Sequence, residues 1–196
     1  MQQKYKMKKI LLIDNYDSFT YNLVHAIYDI TGQDITVKRN DQLELSEVDE
    51  YEYLIFSPGP GIPNEAGLLK EIIRTYAKTK KMLGVCLGHQ AIYESFDGKI
   101  HNLEKVYHGV STKIIVTDKT CALFNDLESS FDAGRYHSWV GTKDTLPDAL
   151  KITCQDEAGQ IMGVQHVELP IYGVQFHPES ILTPLGNNII ENFLKV

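Results

Sequence analysis

The 196-residue chain has little cysteine and no long hydrophobic run. Its three cysteines, Cys86, Cys121 and Cys154, are an odd number with no close pair. This argues against a disulfide framework and against a cysteine-rich zinc site, so we expect three free thiols and no metal. The longest apolar runs, such as residues 10–13, are far shorter than the roughly 20 residues that cross a bilayer, so we expect no membrane association.

Basic residues are also too few for an obvious nucleic-acid-binding surface. The 19 Lys and Arg residues against 26 Asp and Glu residues give a net charge of −7, which a phosphate backbone would repel. Residues 1–9 are polar and contain no secretory hydrophobic segment, so we expect a cytoplasmic protein. The length and the 43% hydrophobic content predict a single domain over residues 1–196, with residues 1–6 as a tail before a possible second start at Met7.

The first half of the chain alternates strand and helix patterns, which favours a parallel sheet covered by helices on both faces. The strand patterns cover residues 8–14, 35–39, 53–57 and 82–85. The helical patterns run from about Ser18 to a stop at Gly32, over 68–76 and over 88–96. From Lys99 onward, short β-type runs at 113–117, 151–154, 161–166 and 171–176 indicate an antiparallel portion.

Two local signals punctuate this second half. Asp156-Glu157-Ala158-Gly159 is typical of a hairpin turn. Thr183-Pro184 predicts an N-cap and first residue of a closing helix, whose core face would be residues 189, 190, 193 and 194. The sequence is therefore predicted to be an open α/β sheet with an antiparallel C-terminal part.

The segment Gly84-Val85-Cys86-Leu87-Gly88 has the pattern of a nucleophile elbow, in which a strand ends, one residue turns sharply and a helix begins. Glycines on both sides leave room for a strained turn at Cys86. Backbone N–H groups at the start of the helix would favour the thiolate form of the sulfur. The alternative is that Cys86 is a small buried hydrophobic residue.

The segment His177-Pro178-Glu179 could supply a base and the carboxylate that orients it. Residues two apart in an extended segment project to the same side, so Glu179 can reach the His177 ring. The other ring nitrogen could face Cys86, provided that the strand before His177 lies beside the strand before Cys86. A surface pair with no catalytic role is the alternative.

Three loops could complete a site. The glycine amides of Ser57-Pro58-Gly59-Pro60-Gly61 could stabilise an oxyanion, together with the amide of Leu87, or the segment is a plain tight loop. Residues 136–139 (Tyr-His-Ser-Trp) form a half-buried strand or line a pocket. Residues 14–18 (Asp-Asn-Tyr-Asp-Ser) follow the first strand, where α/β sheets bind ligands, and form either a contact site or a helix-capping loop.

Together these segments resemble the class I, or triad, glutamine amidotransferases. The opening Asp-Asn-Tyr-Asp-Ser-Phe at residues 14–19 points to the chorismate-using branch, which includes the small subunits of anthranilate synthase and of aminodeoxychorismate synthase. The motifs run from the first strand to the last helix. The resemblance implies a flavodoxin-like fold, no cofactor, L-glutamine as substrate and, as partner, a large chorismate-binding synthase subunit.

The resemblance also implies roles for individual residues. Cys86 would be the nucleophile, His177 the base and Glu179 its orienting carboxylate. The contacts to glutamine and to the oxyanion would fall on Gly59, Pro60, Gly61, Leu87, Gln90, Ser138 and Trp139. Two positions depart from the family pattern, because Trp139 stands where Leu is usual and Asp97 where Gly is common. Within this branch the motifs most resemble the glutaminase subunit of anthranilate synthase, which implies hydrolysis of L-glutamine and delivery of ammonia to a chorismate-aminating synthase subunit. The alternatives are a subunit of aminodeoxychorismate synthase in the folate pathway, a subunit shared by both pathways, a non-catalytic regulatory subunit, and a stand-alone γ-glutamyl hydrolase or cysteine peptidase.

Overall fold

The structure is a computed structural model that describes residues 8–196. The predicted tail over residues 1–6 and the possible start at Met7 lie outside the described residues. The first half contains β1 (Ile10–Asp14), α1 (Thr20–Thr31), β2 (Thr36–Arg39), β3 (Tyr53–Phe56), α2 (Leu69–Tyr76), β4 (Lys81–Val85) and α3 (Leu87–Ser95). The second half contains β5 (Ile100–Asn102), β6 (Val110–Val116), β7 (Ser130–Arg135), β8 (Trp139–Gly141), β9 (Leu150–Asp156), β10 (Ile161–His166), β11 (Ile171–Val174) and α4 (Gly186–Leu194).

A nine-stranded sheet forms the centre, in the order β2-β1-β3-β4-β11-β10-β9-β6-β7. The pairings from β2 to β11 are parallel, and those from β11 to β7 are antiparallel. Strands β5 and β8 form a separate antiparallel pair. The α/β class and the mostly parallel sheet with an antiparallel part are therefore confirmed, with β11 as the strand where the direction changes.

The parallel strands β1, β3 and β11, and β4 after Lys81, are buried on both faces, which explains their apolar runs, whereas the edge strand β2 is only partly buried. Side chains alternate between the faces, so Leu12 and Leu83 pack in one cluster with Leu23 and Phe193 of the helices α1 and α4. Leu11, Ile13 and residues of α2 and α3 form the other cluster. Within residues 8–196, no helix has both the length and the apolar character needed to cross a membrane.

The second half shows what the sequence patterns missed. The predicted hairpin is confirmed, because β9 and β10 pair on either side of residues 156–159. The strands β5 and β7 were not predicted, and β8 was predicted only as one interpretation of residues 136–139, of which Trp139 alone lies in it. The predicted N-cap at Thr183 is wrong, because α4 begins at Gly186 and Leu185 occupies the cap position. The Thr183 hydroxyl instead donates to the carbonyl of His177 at 2.6 Å and accepts from the amide of Gly134 at 2.9 Å.

Helix α3 ends in a left-handed turn at Asp97, one of the two departures from the family pattern. Asp97 has φ 72°. The amide of Gly98 donates to the carbonyl of Tyr93 at 3.0 Å, and that of Asp97 donates to Glu94 at 3.1 Å. This pair of bonds is a Schellman motif, in which the left-handed residue is most often glycine because a β-carbon is strained there.

We expect Asp97→Gly to raise the free energy of unfolding by about 0.5–1 kcal/mol, because it relieves the strain of a β-carbon at positive φ. Asp97→Ala should lower it, since alanine keeps the β-carbon and loses the polar side chain that tolerates this conformation. Urea unfolding of the three proteins measures both changes. Equal stability of the Gly and Ala variants would show that the turn is not strained.

Candidate functional site

The candidate site lies where β4 and β11 end at the same edge of the sheet. The two strands pair in parallel, with Gly84 opposite Gly173 and Val85 opposite Val174. The amide of Cys86 extends this pairing by donating to the carbonyl of Val174 at 2.9 Å. The structure therefore meets the condition set by the sequence, that the strand before His177 lies beside the strand before Cys86.

Cys86 occupies a strained turn between β4 and α3. Its backbone has φ 51° and ψ −101°, a conformation that non-glycine residues rarely adopt. The flanking glycines allow the strand and the helix to pack closely around this turn. A β-carbon on Gly84 would collide with the backbone of Gly88, and a β-carbon on Gly88 would collide with the carbonyl of Phe56. The thiol, 5% exposed, is thus held at the N-terminus of α3.

His177 and Glu179 form a buried pair beside Cys86. Nδ1 of His177 lies 2.7 Å from Oε1 of Glu179, whose side chain is fully buried. Burial opposes protonation of His177, but the Cys86 sulfur and the Glu179 carboxylate outweigh it and raise the pKa of His177 to about 10. Nε2 makes no hydrogen bond of good geometry to any described residue, and its interaction with the sulfur is electrostatic.

Two aromatic rings and one backbone bond fix the position of His177. The ring of Tyr136 lies 4.7 Å from the imidazole, centroid to centroid, and that of Phe19 lies 5.4 Å away. The amide of His177 donates to the carbonyl of Gly134 at 2.9 Å. The contact from Phe19 means that the loop after β1 reaches the site through an aromatic side chain.

A cavity of about 230 Å³ opens next to Cys86. It is smaller than the roughly 300–1,000 Å³ of drug-sized sites, so it suits a small polar molecule. All seven residues predicted to contact glutamine line it, beside Cys86, Tyr136 and His137. They are Gly59, Pro60, Gly61, Leu87, Gln90, Ser138 and Trp139.

The glycine-containing loop after β3 is held in place by Asn15. The side-chain amide of Asn15 donates to the carbonyl of Ser57 at 2.8 Å, and its backbone amide donates to the Ser57 hydroxyl at 2.8 Å. Gly59 packs so closely that an added β-carbon would lie 2.6 Å from atoms of Asn15 and Leu87. The predicted oxyanion loop therefore depends on a residue of the first loop, for which the sequence patterns predicted no such role.

The loop over residues 136–139 is held by a buried polar network. His137 donates from Nδ1 to the carbonyl of Trp139 at 3.0 Å, and its Nε2 accepts from Arg135 at 3.1 Å. Arg135, 1% exposed, pairs with Asp156 at 2.7 Å and lies over the ring of Tyr107. Of the two interpretations of this segment, the cavity-lining one applies, because all four residues line the cavity. Residues 136–138 connect β7 to β8, and Trp139 is the first residue of β8.

The carbonyl of Trp139 also accepts from Nε2 of Gln90 at 3.0 Å. Two donors thus fix the backbone at position 139, and neither touches the indole. The replacement of the family's usual leucine by Trp139 therefore leaves this backbone arrangement intact.

Two buried histidines in this region are held neutral. Burial, with a further contribution from the charge of Arg135, lowers the pKa of His137 to about 3. Burial lowers the pKa of His89 to about 4. His89 stacks on Tyr93, and neither of its ring nitrogens makes a hydrogen bond of good geometry within residues 8–196. The fully buried His89 ring therefore packs in the core between α3 and the sheet.

Comparison with known proteins identifies the family that shares this architecture. Residues 11–196 match the family model of the glutamine amidotransferases of class I. The chain is 44% identical over 188 residues to aminodeoxychorismate/anthranilate synthase component 2 of Bacillus subtilis, covering 95% of each protein. It is also 44% identical over 187 residues to aminodeoxychorismate synthase component 2 of Escherichia coli, covering 94% of this chain and 98% of that protein.

The chain also matches part of a longer protein and a solved structure. It is 42% identical over 193 residues to the bifunctional protein TrpGD of Thermotoga maritima, but spans only 32% of that protein's length. A Thermoplasma acidophilum protein assigned to GMP synthase superposes with a TM-score of 0.86 at 26% identity, covering 97% of this chain and 94% of that one.

We expect the free energy of unfolding to fall as the pH is lowered from 6.5 toward about 5. The unfolded chain protonates His89 and His137 near the ordinary pKa of 6.5, whereas the folded chain keeps them neutral until about 4 and 3. The unfolded state therefore binds more protons in this window, and each histidine contributes a slope of up to about 1.4 kcal/mol per pH unit.

Urea unfolding across this window measures the slope. His137→Gln should reduce it, because one of the histidines whose pKa is lowered in the folded chain is gone. His25→Gln, at an exposed position, should leave it unchanged. A His137→Gln slope equal to that of the unsubstituted protein would refute the assignment.

Proposed function

This chain belongs to the class I glutamine amidotransferase family, and from that premise we propose that it hydrolyses L-glutamine with Cys86, His177 and Glu179 and delivers the ammonia to a chorismate-aminating synthase subunit. The observation that carries the proposal is the convergence of these three side chains at the end of β4 and β11. A thiol, an imidazole and a carboxylate in hydrogen-bonding or electrostatic contact form a nucleophile, a base and an orienting group.

The proposed first step forms a thioester. The Cys86 thiolate attacks the side-chain amide carbon of glutamine, and the carbonyl oxygen becomes an oxyanion that the amides of Gly59 and Leu87 would stabilise. The carbon–nitrogen bond then breaks, and protonated His177 donates a proton to the departing nitrogen, which leaves as ammonia. The raised pKa of His177 supports this role, because the ring must carry the proton at neutral pH.

The proposed second step regenerates the enzyme. Neutral His177 takes a proton from water, whose oxygen attacks the thioester carbon. The carbon–sulfur bond breaks, glutamate leaves and the thiolate returns. Glu179 is hydrogen-bonded to Nδ1 throughout, so it holds the ring with Nε2 toward the reacting atoms and stabilises the imidazolium.

Ammonia is useful for amination only if it reaches the acceptor before it is protonated or diffuses away. We therefore infer that the chain docks on a larger synthase subunit that binds chorismate. The relatives named as component 2 of such synthases support this inference. Because anthranilate synthase and aminodeoxychorismate synthase both occur in the names of relatives at 44% identity, a subunit of either synthase is a candidate.

A non-catalytic regulatory subunit is the main alternative of another class. The presence of all three proposed catalytic side chains, with His177 and Glu179 paired at 2.7 Å, favours a working enzyme. In a functional site, a bound glutamine analogue should protect Cys86 from alkylation by a thiol reagent. In a site that no longer binds glutamine, the analogue should give no protection.

We expect Cys86→Ser to lower glutaminase activity by a factor on the order of 10⁴ or more, because the thiolate nucleophile is lost. The complex with the synthase subunit should still aminate chorismate when ammonia is supplied. Cys121→Ala is the matched control, since this buried cysteine lies outside the cavity lining, and it should retain glutaminase activity. Equal glutaminase rates for Cys86→Ser and the unsubstituted protein would refute the mechanism.

We expect the chain to capture one chorismate-binding synthase subunit from its native cell extract, and the identity of that subunit names the pathway. Mixing with this subunit should raise the glutaminase rate, as measured by glutamate release. The Cys86→Ser variant should bind equally well, because Cys86 is buried. Full glutaminase activity that does not change on mixing with either synthase subunit would instead favour a stand-alone hydrolase.

A further inference from the structure

Gln175 lies between β11 and the proposed base, and the mechanism above gives it no role. Its side chain is fully buried, and its backbone amide donates to the carbonyl of Met162 at 2.9 Å. The side-chain nitrogen Nε2 donates to the sulfur of Cys86 at 3.6 Å. Among the described residues, Gln175 is thus a side chain that donates a hydrogen bond to the sulfur of the proposed nucleophile.

A second glutamine fixes which way this amide points. Nε2 of Gln90 donates to Oε1 of Gln175 at 3.2 Å and also to the carbonyl of Trp139. Because Oε1 of Gln175 accepts this bond, its nitrogen must face the sulfur. The two amides therefore form a directed chain from the carbonyl at position 139 to the sulfur at position 86.

The direction of this chain has a chemical consequence. A hydrogen-bond donor aimed at sulfur stabilises the thiolate more than the thiol, because the anion is the stronger acceptor. The donor also restricts the position of the sulfur at the strained turn of Cys86. Neither effect needs contact between Gln175 and the substrate.

We propose that Gln175 is a positioning residue that holds the Cys86 sulfur in place and favours its thiolate form, with Gln90 fixing the direction of the Gln175 amide. The effect of Gln175 on catalysis rests on the proposed function. Its interaction with the Cys86 sulfur can be tested without assuming that function. The competing explanation is that Gln175 only fills space, in which case an apolar side chain of similar size serves equally well.

The test is the pH profile of Cys86 alkylation by iodoacetamide, followed by mass spectrometry of the peptide that contains Cys86. Gln175→Met keeps the approximate size and removes the donor. We expect the midpoint of the profile to move upward by about one pH unit, which is about tenfold less thiolate at a pH below the midpoint. Gln175→Glu keeps the shape and places a carboxylate near the sulfur, so its midpoint should move further upward.

Gln165→Met is the matched control, because Gln165 lies on the neighbouring strand β10 and its Oε1 is buried with no hydrogen-bond partner among the described residues. Its profile should coincide with that of the unsubstituted protein. A folded Gln175→Met protein with an unchanged midpoint would overturn the proposal. If that variant does not fold, an unchanged midpoint in Gln175→Glu overturns it instead.

Glutaminase assays separate this proposal from the proposed function. We expect the Gln175→Met protein to turn over glutamine about tenfold more slowly at neutral pH, with the loss reduced as the pH is raised, whereas a packing defect would lower the rate equally at all pH values. If the unsubstituted protein, with its synthase subunit, lacks glutaminase activity, the proposed function fails. The alkylation profiles then still decide whether Gln175 controls the sulfur.

Discussion

The parallel pairing of β4 with β11 is the constraint on which the candidate site depends. These strands are far apart in the sequence, and each carries part of the chemistry just beyond its last residue. The register, with Val85 opposite Val174, brings Cys86 and the segment 175–179 to one edge. A slip of a single residue would turn every side chain of the shifted strand to the opposite face of the sheet and separate the sulfur from the imidazole.

Packing of glycine against backbone maintains the strain at Cys86. Gly84 and Gly88 approach each other too closely to allow a β-carbon on Gly84, so the strand and the helix meet almost in backbone contact. The surrounding core then imposes a conformation on Cys86 that the residue would not adopt alone. The buried pair of Arg135 and Asp156 supports another part of the cavity lining, because Arg135 also donates to His137 of the loop that follows.

Much of the parallel half was predictable from sequence, because each buried strand is a short apolar run and each helix has an apolar stripe. The elbow was recognisable since Gly84 and Gly88 bracket Cys86 in a fixed pattern. The strands β5 and β7 were missed, and β8 was predicted only in part, because they are short or mix polar and apolar residues. Thr183 looked like a helix cap, but its hydroxyl is used by Gly134 and His177, partners that only the tertiary fold brings near.

The supporting residues of the site were the hardest to predict. Asn15 and Gln175 act on segments distant in sequence, and Arg135 depends on a distant partner, Asp156, to hold the loop that follows it. No local pattern encodes such contacts. Their effect appears only when the loops after β1, β3, β7 and β11 meet at one edge. The proposed catalytic residues, in contrast, stood out because each lies within a short motif.

The carbonyl at position 139 accepts two hydrogen bonds, one from His137 and one from Gln90. Since both bonds are made to the main chain, a substitution of the indole would leave them in place. His137 and Gln90 cannot be replaced in the same way, because each supplies a donor that holds this carbonyl.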